Sequence, residues 1–127
     1  MLWVSYCSLT DGYRHRLIER ARRQRVRFLV SEYLLDELEI VLTEDLELAQ
    51  RFATLARRAV LRIAKVVDLP VSASSFVPGD PKEDFIVQTA LGADYLVTAD
   101  KEVLKVGKVE DVEILTPQQW EDILQAH

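Results

Sequence analysis

Apolar residues recur along the chain at two spacings, which together predict helices that alternate with short strands. Leu17, Ile18 and Ala21 stand among polar residues in the segment 12–25, the spacing of a helix with one buried face. The largely apolar run over 26–30 predicts a buried strand instead. Because this alternation continues along the chain, the pattern predicts an α/β fold in which a parallel sheet lies between helices.

Capping residues, prolines and glycines mark the ends of the other predicted elements. Ser31 is predicted to be the N-cap of a helix that runs to about Leu42. Alanine, leucine and arginine dominate 45–65, which predicts one long helix there. The remaining predicted elements are a short strand at 66–67, a loop over 68–79, a helix from Pro81 that breaks at Gly92, a strand at 95–97, a helix over 101–105, a strand over 112–115 and a C-terminal helix that begins at Thr116 and contains Trp120, Ile123 and Leu124.

Composition narrows the class of protein. The chain has 127 residues, 49% of them hydrophobic, and we expect a single domain over 1–127. The one cysteine, Cys7, excludes an internal disulfide and fits a reducing compartment. No signal peptide or membrane-spanning segment is visible, so we expect a cytoplasmic protein without a membrane association. The net charge of -5 argues against a protein that holds nucleic acid by its overall charge.

The charges are unevenly distributed. Between Arg14 and Arg27 there are seven arginines and one acidic residue, Glu19, whereas acidic residues gather at 32–47 and 80–113. A basic helix beside an acidic site is a surface that can follow the phosphates of a nucleic acid. A helix face that is simply exposed to water has the same composition, so both interpretations stay open at this point.

Acidic residues stand at the start of one predicted helix and just after the next predicted strand. Asp80 and Glu83 have the pattern of a helix start, and Asp100 follows the strand at 95–97. Ligands bind at the carboxyl edge of a parallel sheet, and carboxylates that meet there suit a hard divalent cation. Structural roles fit the same residues, because Asp80 with Glu83 matches a capping box and Asp100 matches an N-cap.

Glu37 lies at the margin of an apolar stripe on the second predicted helix. At roughly 100° per residue it falls beside Leu34 and Val41, whereas Asp36 and Glu39 point away from the stripe. A carboxylate at the edge of a buried face needs a partner, a metal ion or access to water. The spacing alone does not choose among these.

Three segments of the chain resemble the PIN-domain ribonucleases, in particular bacterial ones described as toxin components of toxin–antitoxin systems. Gly-Ala-Asp-Tyr-Leu-Val-Thr-Ala-Asp over 92–100 is similar to the last acidic motif of that family. Ser-Glu-Tyr-Leu-Leu-Asp-Glu-Leu-Glu-Ile-Val-Leu over 31–42 resembles the segment with its helix glutamate, and the family has an acid seven residues before an alanine that is Ala90 here. The resemblance implies a PIN-like α/β/α fold with a small parallel sheet. The metal ligands and catalytic residues that it implies are Glu37, Glu83 or the adjacent Asp84, and Asp100.

The resemblance also implies an activity and partners. A PIN-type toxin is a metal-dependent endoribonuclease whose carboxylates hold Mg²⁺ or Mn²⁺, which activates water for in-line attack on an RNA phosphodiester. Arginines of the basic segment, Arg22 and Arg25 among them, and the hydroxyl of Thr98 would contact the RNA. Besides RNA, the implied partners are an antitoxin protein and a second copy of the chain in a homodimer.

The family pattern begins earlier than this sequence does. PIN domains open with a strand that ends in Asp-Thr-Asn, and the residues that follow it resemble Leu2 to Tyr6 here. We therefore expect the chain to lack the first, central strand and its metal-binding aspartate, and its activity to be impaired. A smaller set of carboxylates binds a hard cation less well, which supports a second hypothesis: a non-catalytic PIN-like module for dimerisation or antitoxin binding.

Overall fold

The computed structural model describes residue 3, residue 7, residues 12–69, residue 77 and residues 81–126. Its backbone divides into two compact units, Met1–Val66 and Val67–His127. Each unit combines helices with a small sheet that contains one parallel pair of strands. The predicted α/β class is therefore confirmed.

The first unit is a strand–helix–helix–strand arrangement preceded by one described helix. Its two strands pair in parallel, with Leu29 opposite Lys65. Parallel neighbours require a long crossover, which the two intervening helices supply. The elements are α1 (Tyr13–Arg23), β1 (Phe28–Val30), α2 (Glu32–Ile40), a π-helical turn (Val41–Asp45), α3 (Gln50–Ile63) and β2 (Ala64–Val66).

Helix α2 begins where the sequence predicts. The Ser31 hydroxyl accepts a hydrogen bond from the backbone N–H of Leu34, which satisfies one of the N–H groups left unpaired at a helix start. The apolar stripes predicted for α1 and α2 are also confirmed by burial. The buried side chains of these two helices are Leu17, Ile18, Ala21, Leu34, Leu35 and Leu38, and Leu42 is buried in the turn that follows.

The predicted helix over 45–65 is wrong at both ends, because α3 starts only at Gln50 and stops at Ile63, and the strand predicted at 66–67 begins earlier, at Ala64. Helix α2 continues into the π-helical turn, which ends with the N–H of Leu46 donating to the carbonyl of Val41. Glu47 then adopts a left-handed conformation with φ 54°, and Ala49 is extended. These conformations interrupt the helix although 45–49 consists of residues that helices tolerate.

Helices α2 and α3 are joined by a charge cluster around Arg57. The Arg57 guanidinium donates to Asp36 at 2.9 Å, bonds to Glu32 and lies 3.7 Å from Glu39. The hydrogen bond with Asp36, together with the negative charges around it, raises the pKa of Arg57 above its ordinary value. One arginine of α3 is therefore shared by three of the four acidic side chains of α2.

The second unit is a three-stranded sheet with helices around it. The strand order is β3-β5-β4, with Leu96 of β3 parallel to Ile114 of β5 and the short β4 antiparallel to β5. The two-residue β4 is not predicted by the sequence, since Lys108 and Val109 are too short a run to have a period. The elements are α4 (Pro81–Ala90), β3 (Tyr95–Val97), α5 (Lys101–Val106), β4 (Lys108–Val109), β5 (Val112–Leu115) and α6 (Pro117–Gln125).

Buried valines and isoleucine form the core of this second unit. Val87 of α4 and Val103 of α5 are almost fully buried in one cluster with Ile114 of β5. Val77, which lies before α4, and Val109 complete the cluster. Burying a side chain of this size contributes about 1.5–3 kcal/mol, so the cluster fixes α4 and α5 on the sheet.

Some expectations fall on residues outside this description. The N-cap Asp80, the loop residues 70–76 and the N-terminal residues other than Trp3 and Cys7 lie outside the described residues. Trp3 is buried and packs edge-to-face on Phe28, with 5.6 Å between ring centroids. None of the described helices combines the length and apolar character needed to cross a bilayer. The single domain and the missing first strand stay predictions.

Arg57 should stabilise the first unit through its ion pairs. We expect Arg57→Met to lower the free energy of unfolding by about 1 kcal/mol at low salt, since partly exposed ion pairs contribute roughly 0.2–1 kcal/mol each. Urea denaturation measures the difference, which should shrink in about 1 M salt because the charges are then screened. Arg58→Met, at an exposed neighbour on α3, is the control. An equal loss in both variants would contradict a specific role for the cluster.

Candidate functional site

Glu37 differs from the other acidic residues of α2. Glu32, Asp36 and Glu39 bind Arg57, whereas Glu37 is half-buried and forms no hydrogen bond or ion pair with any described residue. The prediction that it lies at the margin of the buried stripe is confirmed. Its two carboxylate oxygens are therefore not used in holding α2 to α3.

Asp84 is held by hydrogen bonds on both of its carboxylate oxygens. Oδ1 accepts the backbone N–H of Val77 at 3.2 Å, and Oδ2 accepts the side-chain amide of Gln88 at 2.9 Å. Glu83, the alternative ligand, is half-buried on the same first turn of α4. Sequence reasoning missed Gln88, and its spacing of four residues from Asp84 is the signal that was available.

Asp100 is the N-cap of α5, as the sequence predicts. Its Oδ1 accepts the backbone N–H groups of Glu102 at 2.8 Å and Val103 at 3.2 Å. No described donor bonds to the other oxygen, Oδ2. The hydroxyl of Thr98 accepts the backbone N–H of Asp100 at 3.1 Å, which fixes the turn after β3. The structural role and a ligand role are compatible, because they use different oxygens.

Two acidic candidates of the second unit lie on α4, and the third follows β3. Only residues 91–94 separate α4 from β3, and the two elements pack together. That Glu83, Asp84 and Asp100 meet at one edge of the sheet stays a prediction.

Glu37 belongs to the first unit, and the other candidate ligands belong to the second. Within neither unit do three described His, Cys, Asp or Glu side chains form a group that could hold a metal ion. The expectation that Glu37, Asp100 and an acid of α4 share one ion stays a prediction.

Cys7 does not offer a reactive thiolate. Burial raises the pKa of the Cys7 thiol from its usual 9.0 to about 11. Its Sγ makes a weak contact with the carbonyl oxygen of Ala56 at 3.9 Å. The thiol is consequently protonated at neutral pH, which disfavours both nucleophilic catalysis and thiolate ligation of a soft metal.

Arg22 and Arg25 of the basic segment differ in their surroundings. Arg22 forms a two-pronged contact with Glu19, with its Nε at 3.1 Å and its Nη2 at 2.8 Å from one carboxylate oxygen. Arg25 is exposed and follows the end of α1 in a left-handed conformation with φ 64°. Cations at a helix C-terminus interact favourably with its dipole, so the positive charge also stabilises α1.

Removing the Asp100 cap should separate its structural role from its charge. We expect Asp100→Ala to lower the free energy of unfolding by about 1 kcal/mol, the usual cost of losing an N-cap side chain. Asp100→Asn should retain most of that stability, because the amide oxygen can accept the same N–H groups. Urea denaturation of both variants measures this. Equal losses in the two would mean that the charge, and not the hydrogen bonds, stabilises the start of α5.

Sequence comparison indicates the family to which the chain belongs. No curated protein and no solved structure matches the chain. The sequence profile of the PIN domain family matches residues 2–102. PIN domains are nuclease domains that generally depend on a divalent metal and bind RNA. Because the match covers most of the 127 residues, the chain belongs to the PIN domain family.

Proposed function

We propose that this chain is a metal-dependent ribonuclease and the toxin component of a toxin–antitoxin system. The observation that carries the proposal is the state of Glu37. Three of its acidic neighbours on α2 lie within ion-pair distance of Arg57, while Glu37 is half-buried without a bond to any described residue. A carboxylate at the edge of a buried face is satisfied by a partner, a metal ion or water, and a bound cation would be such a partner for Glu37.

The chemistry of the candidate donors fits Mg²⁺ or Mn²⁺. All of them are carboxylates, the ligands that hard cations prefer, and the thiol of Cys7 is protonated. Glu37, Asp100 and either Glu83 or Asp84 would hold the ion. Asp100 would bind through Oδ2 while Oδ1 keeps its hydrogen bonds at the start of α5. When bound, the metal supplies positive charge that offsets the charge of the phosphodiester and makes water a better nucleophile.

RNA would be held by positive charge concentrated on one segment. The chain as a whole carries a net charge of -5, which repels a polyanion at a distance. The arginines of α1 and its C-terminal turn, with Arg25 exposed, offer a local surface of the opposite sign. We assign phosphate contacts to Arg22 and Arg25. Thr98 would contact the substrate through its hydroxyl.

Glu37 should be required for metal binding and cleavage. We expect Glu37→Gln, which keeps the shape and removes the charge, to weaken Mn²⁺ binding and slow metal-dependent RNA cleavage by more than about 10-fold. The estimate is a lower bound, because even residues that only support a ligand are worth about 10–100-fold. Calorimetry with Mn²⁺ and a cleavage assay on labelled single-stranded RNA measure the two effects.

The matched control is Glu39→Gln, a change of the same kind on the same helix. Glu39 lies near Arg57, so its loss should alter stability slightly and leave Mn²⁺ binding unchanged. Robust cleavage by the Glu37→Gln variant would contradict the proposed site.

The basic segment should contribute to RNA affinity. We expect Arg22→Glu combined with Arg25→Glu to weaken binding of single-stranded RNA in fluorescence anisotropy. The salt dependence should flatten by about 0.7 in log–log slope for each phosphate that the variant no longer neutralises. The control is Arg58→Glu with Arg62→Glu, which makes the same charge change at exposed positions of α3. Equal effects of the two double variants would show that only net charge matters.

A second function is favoured by exposed apolar side chains in the first unit. Phe52 is 48% exposed and Leu55 is 57% exposed, both on the first half of α3, and Ile40, Leu46 and Leu48 are exposed just before it. Soluble monomers rarely leave large apolar patches uncovered, so this region suits a protein partner. We propose, as the alternative, a non-catalytic PIN-like module that dimerises or binds an antitoxin. Self-association in light scattering without Mn²⁺ binding or RNA cleavage would favour this alternative over the first proposal.

A further inference from the structure

Gln88 is a buried amide with only one end satisfied. It lies on α4 one turn after Asp84, and 5% of its surface is exposed. Its Nε2 donates to Asp84 Oδ2 at 2.9 Å, whereas its carbonyl Oε1 has no hydrogen-bond partner among the described residues. Most buried polar atoms have a partner, and one without a partner costs free energy.

The orientation of the amide is determined by Asp84. Rotating the amide group of Gln88 by half a turn would bring its oxygen against Oδ2, so that two acceptors would face each other. The nitrogen must therefore face the carboxylate, and the unpaired carbonyl is the consequence. Gln88 thus forms its hydrogen bond to Asp84 although its own carbonyl is left without a partner among the described residues.

Helix α6 contains a glutamine–aspartate pair of the same spacing in which no polar atom is buried. Gln118 Nε2 donates to Asp122 Oδ1 at 3.2 Å, again over four residues of helix, but both side chains are exposed to water. Such pairs stabilise helices slightly. The hydrogen bond of the buried pair stabilises α4 no more than the exposed pair stabilises α6. Stabilisation of α4 therefore does not explain why residue 88 is a glutamine.

Asp84 itself is held from two sides. Oδ2 binds Gln88, and Oδ1 accepts the N–H of Val77, a member of the buried core of the second unit. Two donors on two oxygens leave the carboxylate one orientation. Carboxylates that ligate a metal are characteristically held in this way by neighbouring hydrogen bonds.

We propose that Gln88 is a positioning residue, which holds the Asp84 carboxylate in the orientation that ligation of the divalent metal requires. This assignment rests on the proposed ribonuclease function. It also distinguishes Asp84 from Glu83 as the acid of α4 on which that function depends. Gln88 acts through Asp84 and does not itself touch metal or substrate.

The test replaces Gln88 by an apolar side chain of the same length. Gln88→Met removes the hydrogen bond to Asp84 and the unpaired carbonyl together. We expect the midpoint of thermal unfolding without metal to change little, because the unpaired carbonyl is removed while Asp84 Oδ2 loses one donor. We expect Mn²⁺ affinity, measured by calorimetry well below that midpoint, to fall by about 10–100-fold. Gln88→Leu repeats the test with a second apolar side chain, and Gln118→Met is the matched control, for which Mn²⁺ affinity should not change.

Each other outcome has a definite meaning. A large fall of the midpoint in both apolar variants, with Mn²⁺ affinity unchanged, would overturn the assignment, because Gln88 would then serve the stability of the fold. Mn²⁺ binding that is weakened by Glu37→Gln but unchanged by Gln88→Met would overturn this inference alone. Failure of the unsubstituted chain to bind Mn²⁺ would overturn the proposed function, and this assignment with it.

Discussion

The packing of α2 on α3 in the first unit depends on one arginine, Arg57, which is shared among three acidic residues of α2. Arg57 lies across from Glu32, Asp36 and Glu39 and joins two helices that are separated by a π-helical turn. The position of Arg57 determines which carboxylates of α2 form ion pairs with α3. Glu37 lies on a different side of the helix, and its carboxylate oxygens form no bond with any described residue. The same ion pairs that hold α2 on α3 therefore define the candidate ligand, because they leave one acid out.

In the second unit, Asp84 and Asp100 accept hydrogen bonds from uncharged N–H groups. Asp100 is stabilised by two N–H groups at the start of α5, and Asp84 by the N–H of Val77 and the amide of Gln88. These donors are neutral, so they orient a carboxylate without cancelling its charge. A carboxylate held in this way keeps its attraction for a cation, whereas one that is paired with an arginine loses most of it.

The sequence predicts most accurately where local chemistry decides the outcome. The strands at 95–97 and 112–115 and the caps Ser31 and Asp100 are confirmed, because each depends on residues within a few positions. The predicted start of α3 is wrong because left-handed Glu47 follows a wide turn that helix propensity does not reveal. For the candidate site, the pairing of Arg57 and the burial of Gln88 depend on packing between elements distant in sequence, and no local pattern encodes them. The meeting of Glu37 with the acids of the second unit stays a prediction for the same reason.

The reactivity of the Cys7 thiol depends on whether the chain around it is folded. In the folded chain burial holds the pKa of the thiol at about 11, against 9.0 for an ordinary cysteine. At neutral pH the buried thiol is therefore much less ionised than one exposed to water. A thiol-reactive dye should therefore label molecules in which Cys7 has separated from Ala56 faster than folded ones. Cys7 thus offers a natural probe of local unfolding around Ala56 of α3.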